Sequence, residues 1–120
     1  RSPWQNGAWQ LMIANGKGAA EFDSGGMFIG QRTVTDGQWH HLVAVYDDST
    51  CERLLYVDGE LDATDKTKGR FRENANPIQI GKRADMAPCF VGTIDEVMLF
   101  NRALSAEEVR QLCGSGRAAN

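Results

Sequence analysis

Apolar and polar positions alternate with a period of two through most of this chain, and clusters of Gly, Asn, Asp and Ser break the alternation at short intervals. Alternation of that period puts successive side chains on opposite faces, so it predicts strands with one face turned to a core. From Trp9 to Ala14, Trp9, Leu11 and Ile13 share one face and Gln10, Met12 and Ala14 the other. Asn15-Gly16-Lys17-Gly18 then gives a hairpin signal, with a return strand through Ala20 and Phe22. Ser24-Gly25-Gly26 leads into a strand over Met27–Val34, and Thr35-Asp36-Gly37-Gln38 turns the chain again. This is the rhythm of an all-β meander.

Trp39–Asp47 predicts a central strand. Trp39, His41, Val43 and Val45 line one face, His40, Leu42, Ala44 and Tyr46 the other, and Trp39 reads as core rather than as a sugar platform. After a turn at Asp47-Asp48-Ser49-Thr50, Arg53–Val57 returns, and Asp58-Gly59 makes a tight hairpin into Leu61–Thr64. Asp65–Asn76 is polar and reads as the longest loop. Pro77–Gly81 is a short strand with Ile78 and Ile80 inward, and Lys82–Pro88 is a second loop.

Phe90–Phe100 is apolar on both faces, as in a strand covered on two sides. Asp95 and Glu96 interrupt its two rows, and a carboxylate there needs a cation, a donor or an escape to water. Helix chemistry follows. Ser105 as N-cap and Glu108 three residues later make a capping box, Leu104 and Val109 occupy the staple positions, and Gly114 suits the C-terminal cap. The helix is expected over Ala106–Cys113, laid on the sandwich by the narrow edge of Val109 and Leu112, with residues 115–120 a disordered tail.

Composition narrows the classes. At 120 residues the chain is one domain, residues 1–114, with no internal repeat. No apolar run approaches the roughly 20 residues of a membrane span. Thirteen basic against 16 acidic residues give −3 without a basic cluster, which argues against nucleic acid. Cys51, Cys89 and Cys113 lack zinc-ligand spacing. They permit one internal disulfide, with Cys113 as the partner of either other cysteine, or else three plain thiols.

Four ordered motifs resemble the laminin G-like family of concanavalin A-like jelly rolls: Asp36–Asp47 (DGQWHHLVAVYD), Leu55–Leu61 (LYVDGEL), Gly92–Val97 (GTIDEV) and Asn101–Ser105 (NRALS). The resemblance covers about Met27 to Leu112. It implies an all-β, two-sheet antiparallel jelly-roll sandwich with one short C-terminal helix. It also implies an extracytoplasmic binding or adhesion module (extracellular, cell-surface or periplasmic) of a larger protein. Family members carry further strands before the segment that begins here at Trp9, so the domain reads as N-terminally incomplete. Either this chain is a shortened form of the domain, or a second copy covers the exposed N-terminal edge and makes a homo-oligomer.

Candidate sites follow from both readings. Related jelly rolls hold Ca2+ with the aspartate that matches Asp95, an ion that needs six to eight oxygens. The other reading of Asp95 is a carboxylate bonded to backbone or paired with Arg102. Trp4 and Trp9 lie where the further strands would pack, as sugar-stacking or orphaned core residues. Lys68 and Arg70, in the Lys66–Arg72 loop, could contact an anionic glycan, or the loop is merely solvated. His40 and His41 are adjacent, point to opposite faces and cannot act as a pair; sandwich packing with a ring hydrogen bond is expected of them. Asp95 and Glu96 likewise cannot flank one glycosidic bond, and no catalytic motif is present. No catalytic residue is assigned. The expected function is non-catalytic carbohydrate binding or adhesion, with glycan or extracellular protein as partner. The alternatives are a structural or protein–protein interaction domain and, behind it, a fragment of a glycoside hydrolase.

Overall fold

The computed structural model describes residues 9–22, 26–67, 80–81 and 90–118. Trp4, Lys68, Arg70, Phe71, Ile78 and Cys89, with most of the two expected loops, lie outside them. The described residues form strands β1 (Trp9–Ala14), β2 (Lys17–Phe22), β3 (Met27–Thr33), β4 (Leu42–Asp47), β5 (Glu52–Val57) and β6 (Glu60–Lys66), then helix α1 (Ala106–Ala118). Two antiparallel three-stranded meanders result, in the orders β1-β2-β3 and β4-β5-β6. The fold is the expected two-sheet β-sandwich with a helix at its end.

Local chemistry sets the hairpins. Asn15 and Gly16 have φ of 53° and 78°, and Asp58 and Gly59 have 53° and 84°. Two-residue loops between twisted strands favour positive φ at both positions, and Asn, Asp and Gly tolerate it best. The registers follow, Ala14 opposite Lys17 and Val57 opposite Glu60.

Two apolar clusters share the second sheet. Between the sheets lie Ala20, Phe28 and Leu55, flanked by Phe22, Ala44 and Ala63. Phe22 and Tyr46 meet at a ring-centroid distance of 5.7 Å. Gly18 lets the layers approach, since a Cβ there would stand 3.3 Å from Leu42 Cδ2 and 3.6 Å from Leu55 Cδ2. On the opposite face of the second sheet, Val45 and Tyr56 pack with Leu104 and Val109, bordered by Val43, Leu54 and Leu112. Helix α1 therefore lies on the sandwich by the edge its sequence predicts. Burying a side chain such as Leu55 or Val109, each 0% exposed, stabilises by about 1.5–3 kcal/mol.

Two arginines stitch the sheets in opposite directions. Arg53 on β5 is 2% exposed. It donates from Nη1 to Gly26 O at 2.5 Å and stacks 4.5 Å from the centroid of the Phe28 ring. Arg32 on β3 reaches back, donating from Nη1 to Val57 O at 3.1 Å. Between them Asp62 Oδ2 on β6 accepts the backbone N–H of Gln31 at 2.8 Å and of Arg32 at 3.3 Å.

Several expectations are corrected. Strand β4 starts at Leu42, and Trp39 is 65% exposed rather than core. Asp36 Oδ1 binds both Gln38 N and the His40 ring, a local side-chain arrangement that competes with strand pairing before Leu42. Phe90–Phe100 forms no ladder, and every residue in it is exposed. Glu96 has φ of 53°, which breaks the extended run, and Asp95 Oδ1 accepts the Glu96 N–H at 2.8 Å. Ile80 is 62% exposed, not inward. Strand β6 extends to Lys66, taking Asp65 from the expected loop because Asp65 pairs with Arg53. Helix α1 passes through Gly114 to Ala118 instead of ending at Cys113. Glycine permits a left-handed cap without requiring one.

Candidate functional site

The densest polar network among the described residues grows out of the Asp58-Gly59 turn. Left-handed backbone at Asp58 turns its carboxylate back over the end of β4, where Oδ1 accepts the His41 N–H at 2.9 Å. Oδ2 accepts from His40 Nδ1 at 2.8 Å, and Arg32 Nη2 stands 3.6 Å from the same oxygen. The other face of the His40 ring points to the β3–β4 connection, where Nε2 lies 2.7 Å from Asp36 Oδ1. The His40 and Asp58 side chains are 14% and 9% exposed, that of Asp36 45%.

A neutral imidazole has one N–H, and here both nitrogens face a carboxylate. Only the imidazolium satisfies both contacts. The bond to Asp58 first, then the bond to Asp36, raises the His40 pKa above its ordinary 6.5 against the opposing effect of burial. The His40 bond and then the Gln38 N–H hold Asp36 below its ordinary 3.8. A general base needs a free ring nitrogen facing a nucleophile, and His40 offers none in this arrangement. The network anchors the segment before β4 and thereby fixes the backbone of Trp39, whose indole is open to solvent.

Of the residues singled out from sequence, Trp9 is described, 38% exposed on β1, the outer strand of its sheet. Asp95 is exposed and bonded to backbone, while Arg102 pairs with Glu108 rather than with Asp95. Among the described residues no three His, Cys, Asp or Glu side chains are grouped to hold a metal ion. Cys51 and Cys113 are free thiols. The expected ring bonds of His40 are present, but their acceptors Asp36 and Asp58 read in the sequence only as turn residues. The signal available was the four-residue spacing from Asp36 to His40.

The Laminin_G_3 family, described as the concanavalin A-like lectin/glucanases superfamily, matches residues 2–110. The chain is 28% identical over 92 residues to the sushi, von Willebrand factor type A, EGF and pentraxin domain-containing protein 1 of Rattus norvegicus, a match spanning 69% of this chain and 3% of that protein. It is 30% identical over 91 residues to human pentraxin-4, spanning 66% of this chain and 18% of that protein. The chain thus spans a small part of these relatives' length. In structure it resembles an S-layer domain-containing protein of Clostridium thermocellum, with a TM-score of 0.51 and 19% identity over 94% of this chain and 65% of that one. That likeness concerns the fold alone. No described helix is long and apolar enough to cross a membrane. With the two-sheet sandwich in place and the family match running almost end to end, the chain belongs to the Laminin_G_3 family of the concanavalin A-like lectin/glucanases superfamily.

Proposed function

We propose that this domain is a non-catalytic carbohydrate-binding or adhesion module of a larger secreted or cell-surface protein, and that Trp39 is its principal contact. The observation that carries this reading is the 65% exposure of Trp39 on a backbone held by the Asp36–His40–Asp58 network. An indole offers a flat apolar face on which a pyranose can stack, and a pre-ordered backbone lowers the entropy lost on binding. Trp9 on the outer strand is a second stacking position, and Trp4, Lys68 and Arg70 remain proposed contacts. Retention on immobilised polysaccharide, with release by soluble sugar, tests the reading. The wild-type domain is expected to be retained and Trp39→Ala to pass through. Equal behaviour of the two would remove Trp39 from the proposal.

A second reading, attachment to a protein partner or to another copy, is favoured by the apolar exposed run Val97–Phe100, with Met98 and Leu99 each 58% exposed. Among the described residues β1 pairs along one side only, and its other edge would offer backbone for a second copy. Sedimentation across a concentration series reads this directly, since association through either feature raises the mass. Calcium at Asp95 stands as a proposal outside this reading. A calcium-dependent rise in Tm that Asp95→Asn abolishes would support it.

A further inference from the structure

We propose that the Asp36–His40–Asp58 bridge is a proton-gated strap. While His40 is charged the bridge folds Asp36 back onto the His40 ring, which Asp58 holds at the β5–β6 turn, and it frees the Asp36–Gln38 corner beside Trp39 when His40 loses a proton. Counting protons shows why. With one proton gone, one ring nitrogen becomes an acceptor facing a carboxylate oxygen, and that contact turns repulsive. Asp58 keeps its hold, because it is 9% exposed and also accepts the His41 N–H and faces Arg32. Asp36 is 45% exposed and leaves for water. Gly37, with φ of 77° and nothing within 4 Å of a Cβ position, provides the hinge beside it.

Among the described residues the other charged groups around the bridge do not replace the lost contact. Arg32 is already shared between Val57 O and Asp58. Glu60 opens β6 with the same sign as Asp36. On α1, which packs against Gly59, the Arg110 guanidinium is bonded to Glu107 at 2.7 Å.

The direction with pH follows from linkage. A raised His40 pKa contributes stability that is full below 6.5 and is lost as pH rises through the folded value. A depressed Asp36 pKa contributes stability present above 3.8 and lost as pH falls through its folded value. The strap is tightest between those limits and opens on the alkaline side. It does not depend on what Trp39 binds.

An NMR titration of the whole domain from pH 5 to 9 tests it, following the His40 ring, the Gln38 amide and the Trp39 indole. The expected result is a His40 midpoint above 6.5, with the Gln38 and Trp39 signals moving at that same midpoint. Asp36→Asn, an exposed and isosteric change, should lower the midpoint and erase the coupled movement. Asp58→Asn should lower it too, but it also weakens the cap on His41, so Asp36→Asn is the deciding variant. A His40 midpoint at or below 6.5, or Gln38 and Trp39 signals indifferent to it, would overturn the proposal.

Discussion

Arg53 and Asp65 face each other across β5 and β6 and exchange two parallel hydrogen bonds, Nε to Oδ1 at 2.7 Å and Nη2 to Oδ2 at 2.6 Å. The arginine is 2% exposed, and its third contact is the carbonyl of Gly26, just before β3 of the other sheet. Removing the carboxylate therefore leaves a buried guanidinium short of two acceptors. Asp65→Ala is expected to destabilise by about 2–3 kcal/mol, less than the roughly 3–5 for a fully buried pair because Asp65 is 42% exposed. Arg53→Lys should not rescue the geometry, since an ammonium cannot make the planar double contact. Urea unfolding of both variants checks this; a Lys variant as stable as wild type would show that charge alone, not the fork, is what Asp65 requires.

The sheets also meet where Gly30 faces Asp62. A Cβ at Gly30 would collide with Asp62 Oδ2 and stand 3.2 Å from Leu55 Cδ2. Asp62 cannot yield freely, because that oxygen accepts two backbone N–H groups of β3. Gly30→Ala should cost about 1–3 kcal/mol by overpacking. Asp62→Ala removes the clash together with the two bonds, so the double variant should be more stable than the sum of the single losses predicts. Strict additivity in the double-mutant cycle would deny the contact.

At the helix, Ser105 Oγ accepts the Glu108 N–H at 3.2 Å and Glu108 Oε1 accepts the Ser105 N–H at 3.0 Å, a reciprocal capping box. Ser105→Ala should cost about 1 kcal/mol. The Arg102 guanidinium, then the Ser105 N–H, holds Glu108 down at about 2 from its ordinary 4.5. A depressed carboxylate stabilises above its unfolded value and loses that contribution as pH falls through its folded one. Stability should thus decline from pH 4.5 toward pH 2, and Glu108→Gln should flatten that part of the acid profile. An unchanged profile in the variant would show the Arg102 pair to be inert.

What was legible in the sequence was local. Asn15-Gly16 and Asp58-Gly59 fix their hairpins by backbone conformation alone, and Ser105 with Glu108 fixes the helix start. Strand β1 stands at its predicted bounds because alternation and the following turn agree. Alternation says which side chains share a face; it does not say what covers that face. For this reason Trp39 and the Phe90–Phe100 run read as core and stand exposed. The network around His40 was half visible. Its ring bonds were expected, but Asp58 comes from the β5–β6 turn and Arg32 from β3, and their meeting depends on how two sheets stack. Arg53 was hidden for the same reason, since its partners Asp65, Gly26 and Phe28 lie on β6, just before β3 and on β3.

In the proposed function an exposed indole recognises a ligand and performs no chemistry on it. A glycan array probed side by side with wild type and Trp39→Ala tests this most directly. Binding to a restricted set of sugars by the wild type, no turnover of the bound sugar, and loss of binding in the variant are expected. A blank array for the wild type, or identical patterns for the two proteins, would contradict it.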